Sequence, residues 1–313
     1  MQRTSTELKR VALNGPTMGT RWSALLHLPP WFDAAELQRA LAQAVAQVDA
    51  QMSTWKPDSD LNRFSNADKG VWVDLPDDLL LVLEASIAIG RASDGAFEIG
   101  VGDAIGAWGF GHQSADLKSI KRARLASRRP AYDCLEIDRT AGRARKHASI
   151  SLDLNGIAKG YGVDRLAGAA RAFGLDAGLF AIDGELRALG AQPDGRAWSI
   201  AVERPDYDRR APHSMIEVVD AAVATSGDYR HWVEIDGKRL SHTIDPRKGM
   251  PLLQSPASVT VTAKDCMSAD AWATAMMVLG EERGMLLAKS LGLSLLFLYR
   301  DSDHRAGCGV FER

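Results

Sequence analysis

The chain reads as an α+β protein, because strand-like and helix-like segments interleave irregularly along it, without internal repeats and without the strict alternation of a doubly wound sheet. Its 313 residues are 46% apolar and 25% charged, enough for one large domain or two modest ones with real cores.

The elements follow in order. Thr20 to Leu28 alternates loosely and predicts a strand. Asp33 opens a helix whose apolar residues Leu37, Leu41, Val45, Val48 and Met52 recur at three- and four-residue steps. Pro57 and the polar stretch Asp58 to Asp68 end it. A second helix follows Pro76 with Leu79, Leu80, Leu83 and Ile87 inward, and stops near Ser93-Asp94-Gly95. Gly95 to Gly111 is rich in glycine and aromatics (Phe97, Trp108, Phe110), which predicts a loop facing something flat. Ile150 to Leu154 alternates as a strand, Asn155-Gly156 turns it, and a helix runs from about Ile157 to Phe173. Strands are expected at Gly178–Ile182, Trp198–Glu203, Trp232–Ile235 and Ser258–Thr262. A helix from Ser268 to Leu279 takes Ser268 as N-cap and Gly280 as its stop. Another helix, Glu281 to Leu291, precedes a strand at Leu293–Tyr299.

Composition excludes several classes. A net charge of −2 gives no electrostatic grip on nucleic acid, and the basic run Lys121, Arg122, Arg124, Arg128 and Arg129 fits a solvated face. The three cysteines (Cys134, Cys266, Cys308) are widely spaced with no CxxC pair, so neither a disulfide framework nor a zinc site is expected. No apolar run approaches the ~20 residues that span a bilayer. No apolar stretch or lipidation cysteine accompanies the basic residues of Met1 to Leu13, which sets a cytoplasmic location as the expectation, or an exported one if residues precede this start.

Four constellations could carry chemistry. Asp270 and Thr274 lie four apart on one helix face, a hard oxygen pair suited to Mg²⁺, although an acid in a first turn also serves the helix dipole. In Asp153-Leu-Asn-Gly156-Ile-Ala-Lys159-Gly160 a carboxylate reaches a tight turn and a lysine opens a helix. That arrangement is a phosphate cradle or simply a strand–helix connection with a surface lysine. It matches neither G-x-x-x-x-G-K-[ST] nor G-x-G-x-x-G. Ser241-His242-Thr-Ile-Asp245-Pro246 marks a turn in which His242 could cap the backbone or move a proton. Thr225-Ser226-Gly227-Asp228 is a polar loop open to the same two readings.

The order of these motifs carries more than any one of them. Thr17-Met18-Gly19-Thr20, Met52-Ser-Thr-Trp55 with Ser59-Asp-Leu-Asn-Arg-Phe64, Leu152 to Gly160, Ala224 to Asp228, Ser241 to Pro246 and Ala269-Asp-Ala-Trp-Ala-Thr274 together resemble the ApbE family of FAD:protein FMN transferases. The resemblance spans about Gly15 to Gly280. It sets residues 1–14 apart as an N-terminal extension and 15–313 as one flavin transferase domain, with FAD between two sub-lobes. It implies Mg²⁺ held by Asp270, Thr274 and the carbonyl of Gly156. Some members carry an Asp before that Thr, where this chain has Ala273, leaving a ligand place for water. The implied flavin contacts are Met18, Trp55, Ala96, Phe97, Glu98, Asp153, Lys159 and the His242–Ile244 strand. Many relatives have Tyr at Trp55 and a double glycine at Asp183-Gly184.

The resemblance implies transfer of FMN from FAD to a Ser or Thr hydroxyl of an acceptor flavoprotein, such as a subunit of a membrane redox complex, with release of AMP. His242 or a nearby carboxylate would accept the hydroxyl proton. Passing FMN to water, or holding FAD without chemistry, are the alternatives the same residues leave open.

Overall fold

Period-two burial along the strands divides their side chains between two faces of one antiparallel sheet. The computed structural model describes residues 7–111, 114–207, 209–229, 232–235, 238–300 and 304–312. Eight strands form the sheet: β1 (Lys9–Thr17), β2 (Thr20–Leu28), β3 (Gly178–Ile182), β4 (Glu185–Leu189), β5 (Ala222–Gly227), β6 (Ser258–Ala263), β7 (Ser294–Leu298) and β8 (Arg305–Cys308). They lie side by side in chain order, and every neighbouring pair is antiparallel. The helices are carried in the connections. Between β2 and β3 run α1 (Ala34–Met52), α2 (Asp77–Ala92) and α3 (Ala158–Ala172); between β6 and β7 runs α4 (Cys266–Leu291).

One sheet face buries Trp22, Ala24 and Leu26 of β2 and Ala222 and Ala224 of β5 against α1, α3 and the start of α4. Further along the same face, Val259, Val261, Leu295 and Phe297 pack under α4 and α2. The alternate residues Val223, Leu296 and Leu298 point the other way, onto a hairpin of strands Trp198–Glu203 and Pro212–Val218. The result is three layers, helices on sheet on hairpin, with each buried Leu or Phe worth about 1.5–3 kcal/mol. Among the described residues no helix is long and apolar enough to cross a membrane.

Local signals explain several ends. The Asp33 side chain accepts from the N–H groups of Ala35 and Glu36 at 3.0 and 2.9 Å, capping α1. Met18 and Gly19, with φ of 45° and 71°, form the two-residue loop between β1 and β2, the type I′ geometry whose twist suits a hairpin. The structure places strands at Gly178–Ile182, Trp198–Glu203 and Trp232–Ile235 where the pattern puts them.

Other expectations shift. Lys9 to Asn14, read as part of an extension, belong to β1, which pairs with β2 along its whole length. The polar stretch after Pro57 holds a short helix, Asp60–Asn66, capped by Ser59 and paid for by burial of Leu61 and Phe64. The loop after Gly95 holds another, Gly102–Ala107. Ile150 to Leu154 is not a strand; Leu152, Asp153 and Leu154 are buried in succession, and the segment is held by isolated bonds, Gly102 N–H to Ser151 O at 3.0 Å and Asp153 N–H to Ile99 O at 2.8 Å. Ser268 does not cap α4: Asp265 does, and it accepts the Ser268 N–H at 2.8 Å.

Gly280 divides α4, as its place in the sequence suggests, with φ 72° and ψ −179° inside an otherwise helical run. That region is open only to glycine. A β-carbon at Gly280 would meet nothing within 4 Å among the described residues, so the backbone conformation resists substitution. Gly280→Ala is expected to cost about 1–3 kcal/mol, read as a lower urea midpoint at unchanged slope. An unchanged midpoint would mean that the kink relaxes into continuous helix.

Candidate active site

The N-terminus of α3 meets the first turns of α4 at the floor of a cleft of about 1830 Å³. The floor is built by a close approach. Gly160 lies so near α4 that its N–H donates to Asp270 Oδ2 at 3.0 Å. A β-carbon at Gly160 would stand 2.3 Å from the Cys266 carbonyl oxygen. One turn later Asp164 accepts the N–H groups of Cys266 and Met267 at 3.0 and 2.9 Å and pairs with Arg187 of β4. The first amides of α4 are thereby satisfied from outside the helix, and Asp270 is fixed facing the cleft.

The cleft gathers residues scattered over more than 250 positions of sequence. Met18, Trp55, Ala96, Phe97, Glu98, Asp153, Gly156, Lys159, His242, Ile244, Asp270 and Thr274 all line it. Met18 sits at the β1–β2 loop and touches α3, where a β-carbon at Gly162 would come within 3.2 Å of its Cε. Trp55 is 61% exposed at the rim, beyond the end of α1. Ala96, Phe97 and Ile244 are buried walls. Glu98 spends both carboxylate oxygens on backbone, accepting from Gly100 at 2.6 Å and from Ala131 at 3.0 and 3.1 Å, so it braces the loop beneath Phe97. Burial pushes its carboxyl up. Of the three aromatics in that loop, Phe97 and Phe110 reach the cleft; Trp108 turns into a separate cluster and donates to the Gly249 carbonyl at 2.9 Å.

His242 stands in a bend between strands Lys238–Ser241 and Ile244–Asp245, so the His242–Ile244 segment is only partly strand. Its half-buried ring meets Phe110 edge-on with centroids 6.4 Å apart. The Asp245-Pro246 turn closes on itself through Gly249 N–H to Asp245 O at 2.9 Å.

The polar floor is dominated by acids. Asp153 accepts from the Asn155 N–H at 2.8 Å and from its amide at 3.0 Å, and burial pushes its carboxyl up to about 6. Asp270 is 4% exposed; burial first and the charge of Glu185 second hold its carboxyl well above the usual range, against the pull of Lys159 and the Gly160 N–H. Lys159 donates to Glu185 Oε1 at 2.8 Å and lies 3.8 Å from Asp183. Burial alone would lower its ammonium, but Glu185, Asp270 and Asp183 outweigh burial and raise it.

A hard divalent cation fits this floor. Among the described residues no group of three or more His, Cys, Asp or Glu forms a metal cluster, so the donors would be one carboxylate and neutral oxygens. Asp270 would supply the carboxylate, and Gly160 is its one hydrogen-bond donor among the described residues. Thr274 Oγ1, one turn along, is 3.2 Å from Ser226 Oγ of β5. Gly156 leaves the space beside it: a β-carbon there would stand 2.9 Å from Thr274 Oγ1.

Three further cleft residues take roles that their motifs did not single out. Asn155 locks the Asp153 turn, Ser226 touches Thr274, and Glu185 holds Lys159. Asp183-Gly184 was the available signal for the last, since a two-residue Asp-Gly loop hands the next residue back into the sheet.

Residues 18–297 match the profile of the ApbE family. An FAD:protein FMN transferase of Vibrio cholerae is 36% identical over 297 residues, covering 94% of this chain and 89% of that protein. The FAD:protein FMN transferase of Escherichia coli K12 is 31% identical over 299 residues, covering 93% and 84%. Among solved structures, the flavin transferase ApbE from Vibrio cholerae aligns with a TM-score of 0.84 at 34% identity, covering 96% of this chain and 97% of that one. The apo form of the Pseudomonas stutzeri flavinyl transferase ApbE aligns with a TM-score of 0.82 at 34% identity, covering 97% and 95%.

Asp153 makes a pH dependence visible. A carboxyl whose folded pKa lies above its unfolded value binds its proton more tightly when folded, so stability is lost as pH rises from about 4 through about 6. The loss at pH 8 is about 3 kcal/mol at most. Asp153→Asn is therefore expected to raise the melting temperature at pH 8 and leave it nearly unchanged at pH 4, as calorimetry at both pH values would show.

Proposed function

The chain belongs to the ApbE family, and we propose that it transfers FMN from FAD to a Ser or Thr hydroxyl of an acceptor flavoprotein, with Mg²⁺ bound and AMP released. It is an FAD:protein FMN transferase, as its relatives are over nearly their full length. The observation that carries the finer reading is the convergence of Asp270, Thr274, Gly156 and Lys159 at one end of the cleft that His242 also lines.

FAD carries a dianionic pyrophosphate, which the acidic floor would repel. Asp270, Thr274 and the Gly156 carbonyl would hold Mg²⁺, which supplies the positive charge that the pyrophosphate and the departing AMP require. Lys159 contributes the cationic side chain of the floor, and α3 adds the positive end of its helix dipole. Phe97, Ile244 and the rim ring of Trp55 offer flat apolar surface to the isoalloxazine. The acceptor oxygen attacks the phosphorus of the FMN half. The bond from that phosphorus to the bridging oxygen breaks, and AMP leaves with the bridging oxygen. The hydroxyl proton passes to the imidazole of His242.

Incubation of the protein with FAD, Mg²⁺ and an acceptor bearing a free Ser/Thr hydroxyl in a flavinylation motif tests this: acceptor mass should rise by one FMN less one water, with equimolar AMP. Free FMN with AMP and no labelled acceptor would replace transfer by hydrolysis. Asp270→Ala is expected to lower turnover at least ~10²-fold at saturating FAD, and normal turnover in Mg²⁺ would remove Asp270 from the metal site. His242→Ala should lower kcat by about 10²–10⁴ with the Kd for FAD little changed. Unchanged kcat would reassign the proton acceptor.

A further inference from the structure

Glu185 is a buried acid of the cleft that the reaction above leaves without a task. It opens β4 directly after the Asp183–Gly184 loop, is 2% exposed and lines the cleft. One of its oxygens, Oε1, accepts from Lys159 Nζ at 2.8 Å. The other, Oε2, is buried and has no hydrogen-bond partner among the described residues. Asp183 Oδ2 lies 3.8 Å from the same ammonium, so the loop draws Lys159 from two sides. Asp183 holds this place with a φ of 52°, unusual for a side chain other than glycine.

A second buried anion lies on the neighbouring backbone contact. Lys159 directly precedes Gly160, whose N–H holds Asp270 Oδ2 at 3.0 Å, and after Glu185 it is Asp270 whose charge acts most on the ammonium. One ammonium therefore carries the counter-charge near two buried carboxylates, Glu185 and Asp270. It forms ion pairs with Glu185 and Asp183, and none with Asp270 within 4 Å. A buried carboxylate needs one counter-charge. An ammonium seated on Asp270 would satisfy that need from inside the protein and compete with any cation arriving from solvent.

We propose that Glu185 is a positioning residue that engages Lys159 and so keeps the ammonium off Asp270, leaving that carboxylate open to a divalent cation. The proposal rests on the reading of Asp270, Thr274 and Gly156 as a Mg²⁺ site. It explains why an acid is buried beside another acid: Glu185 raises the cost of ionising Asp270, yet it removes the competitor for Asp270. The same tether holds the ammonium against the residues of the β3–β4 loop.

The test is calorimetric titration of Mg²⁺ into the metal-free full chain with FAD saturating each variant. Glu185→Gln keeps the shape and removes the charge, and is expected to weaken Mg²⁺ binding by about 10- to 100-fold. In Lys159→Met/Glu185→Gln the competitor is gone and Mg²⁺ affinity should return to the wild-type value. Lys159→Met alone should bind Mg²⁺ at least as tightly as wild type, and it keeps the proposal exposed to test even if Glu185→Gln fails to fold. Glu185→Gln with wild-type affinity would overturn the tether while leaving the metal site intact. A double variant as weak as Glu185→Gln would overturn it too, since Glu185 would then act on the cation itself. A tenfold loss in Lys159→Met would do the same. A wild-type protein silent toward Mg²⁺ would instead remove the metal reading on which the tether depends.

Discussion

The hydrogen bond from Gly160 to Asp270 is the fixed point of this structure. It requires α3 and α4 to approach within a distance that excludes any β-carbon at residue 160, since the Cys266 carbonyl occupies that space. The bond draws on an amide that a helix N-terminus leaves free and gives it to a carboxylate that would otherwise be buried alone. Asp164 repeats the arrangement one turn on, collecting two α4 amides and the guanidinium of Arg187 from β4. Two helices and the sheet are thus joined by polar contacts at the same end of the molecule. The apolar layers around Val163, Leu166, Ala269 and Ala222 then close over the junction and hold it.

The cost of that arrangement is electrostatic. Asp153, Asp270 and Glu185 are all nearly inaccessible to water, and Lys159 is the ammonium among them. Burial raises each of the three carboxyls, so the floor is under tension whenever it is ionised without a further positive charge. Sites of this kind give up stability for the ability to bind. Mg²⁺ and a pyrophosphate, arriving together, would bring charges of opposite sign to a floor that holds both signs apart. The residue before Thr274 is Ala273, which is fully buried and adds no further acid to this floor.

Where a local pattern was strong, the sequence could be read nearly to the residue. The three- and four-step apolar rows of α1 and α2, the alternation of Trp198–Glu203 and the glycine stop within α4 all reflect interactions between near neighbours. Where an element owes its form to a distant partner, the reading slipped. Asp60–Asn66 is helical because Leu61 and Phe64 have a core to enter, and no local excess of helix formers announces it. Ile150 to Leu154 alternates like a strand but finds no partner strand, only the loop at residues 99–102. Asp265 rather than Ser268 caps α4 because Asp164 reaches in from α3 to take the two amides between them. β1 pairs with β2 through a turn at Met18-Gly19 whose conformation a methionine does not advertise.

Fold class and family were legible in motif order and residue type, which survive without coordinates, and the twelve residues that the family resemblance implied line one cleft. The sequence by itself could not determine which of those residues face solvent, which brace a loop and which share a charge. Glu98 is a brace because two backbone amides lie within reach of its carboxylate, and Lys159 points toward Glu185 because a hairpin twenty-six residues away returns that acid to the floor. Such pairings depend on distances in space between segments far apart in the chain. Only the packing of α3 against α4 and of both against the sheet sets those distances.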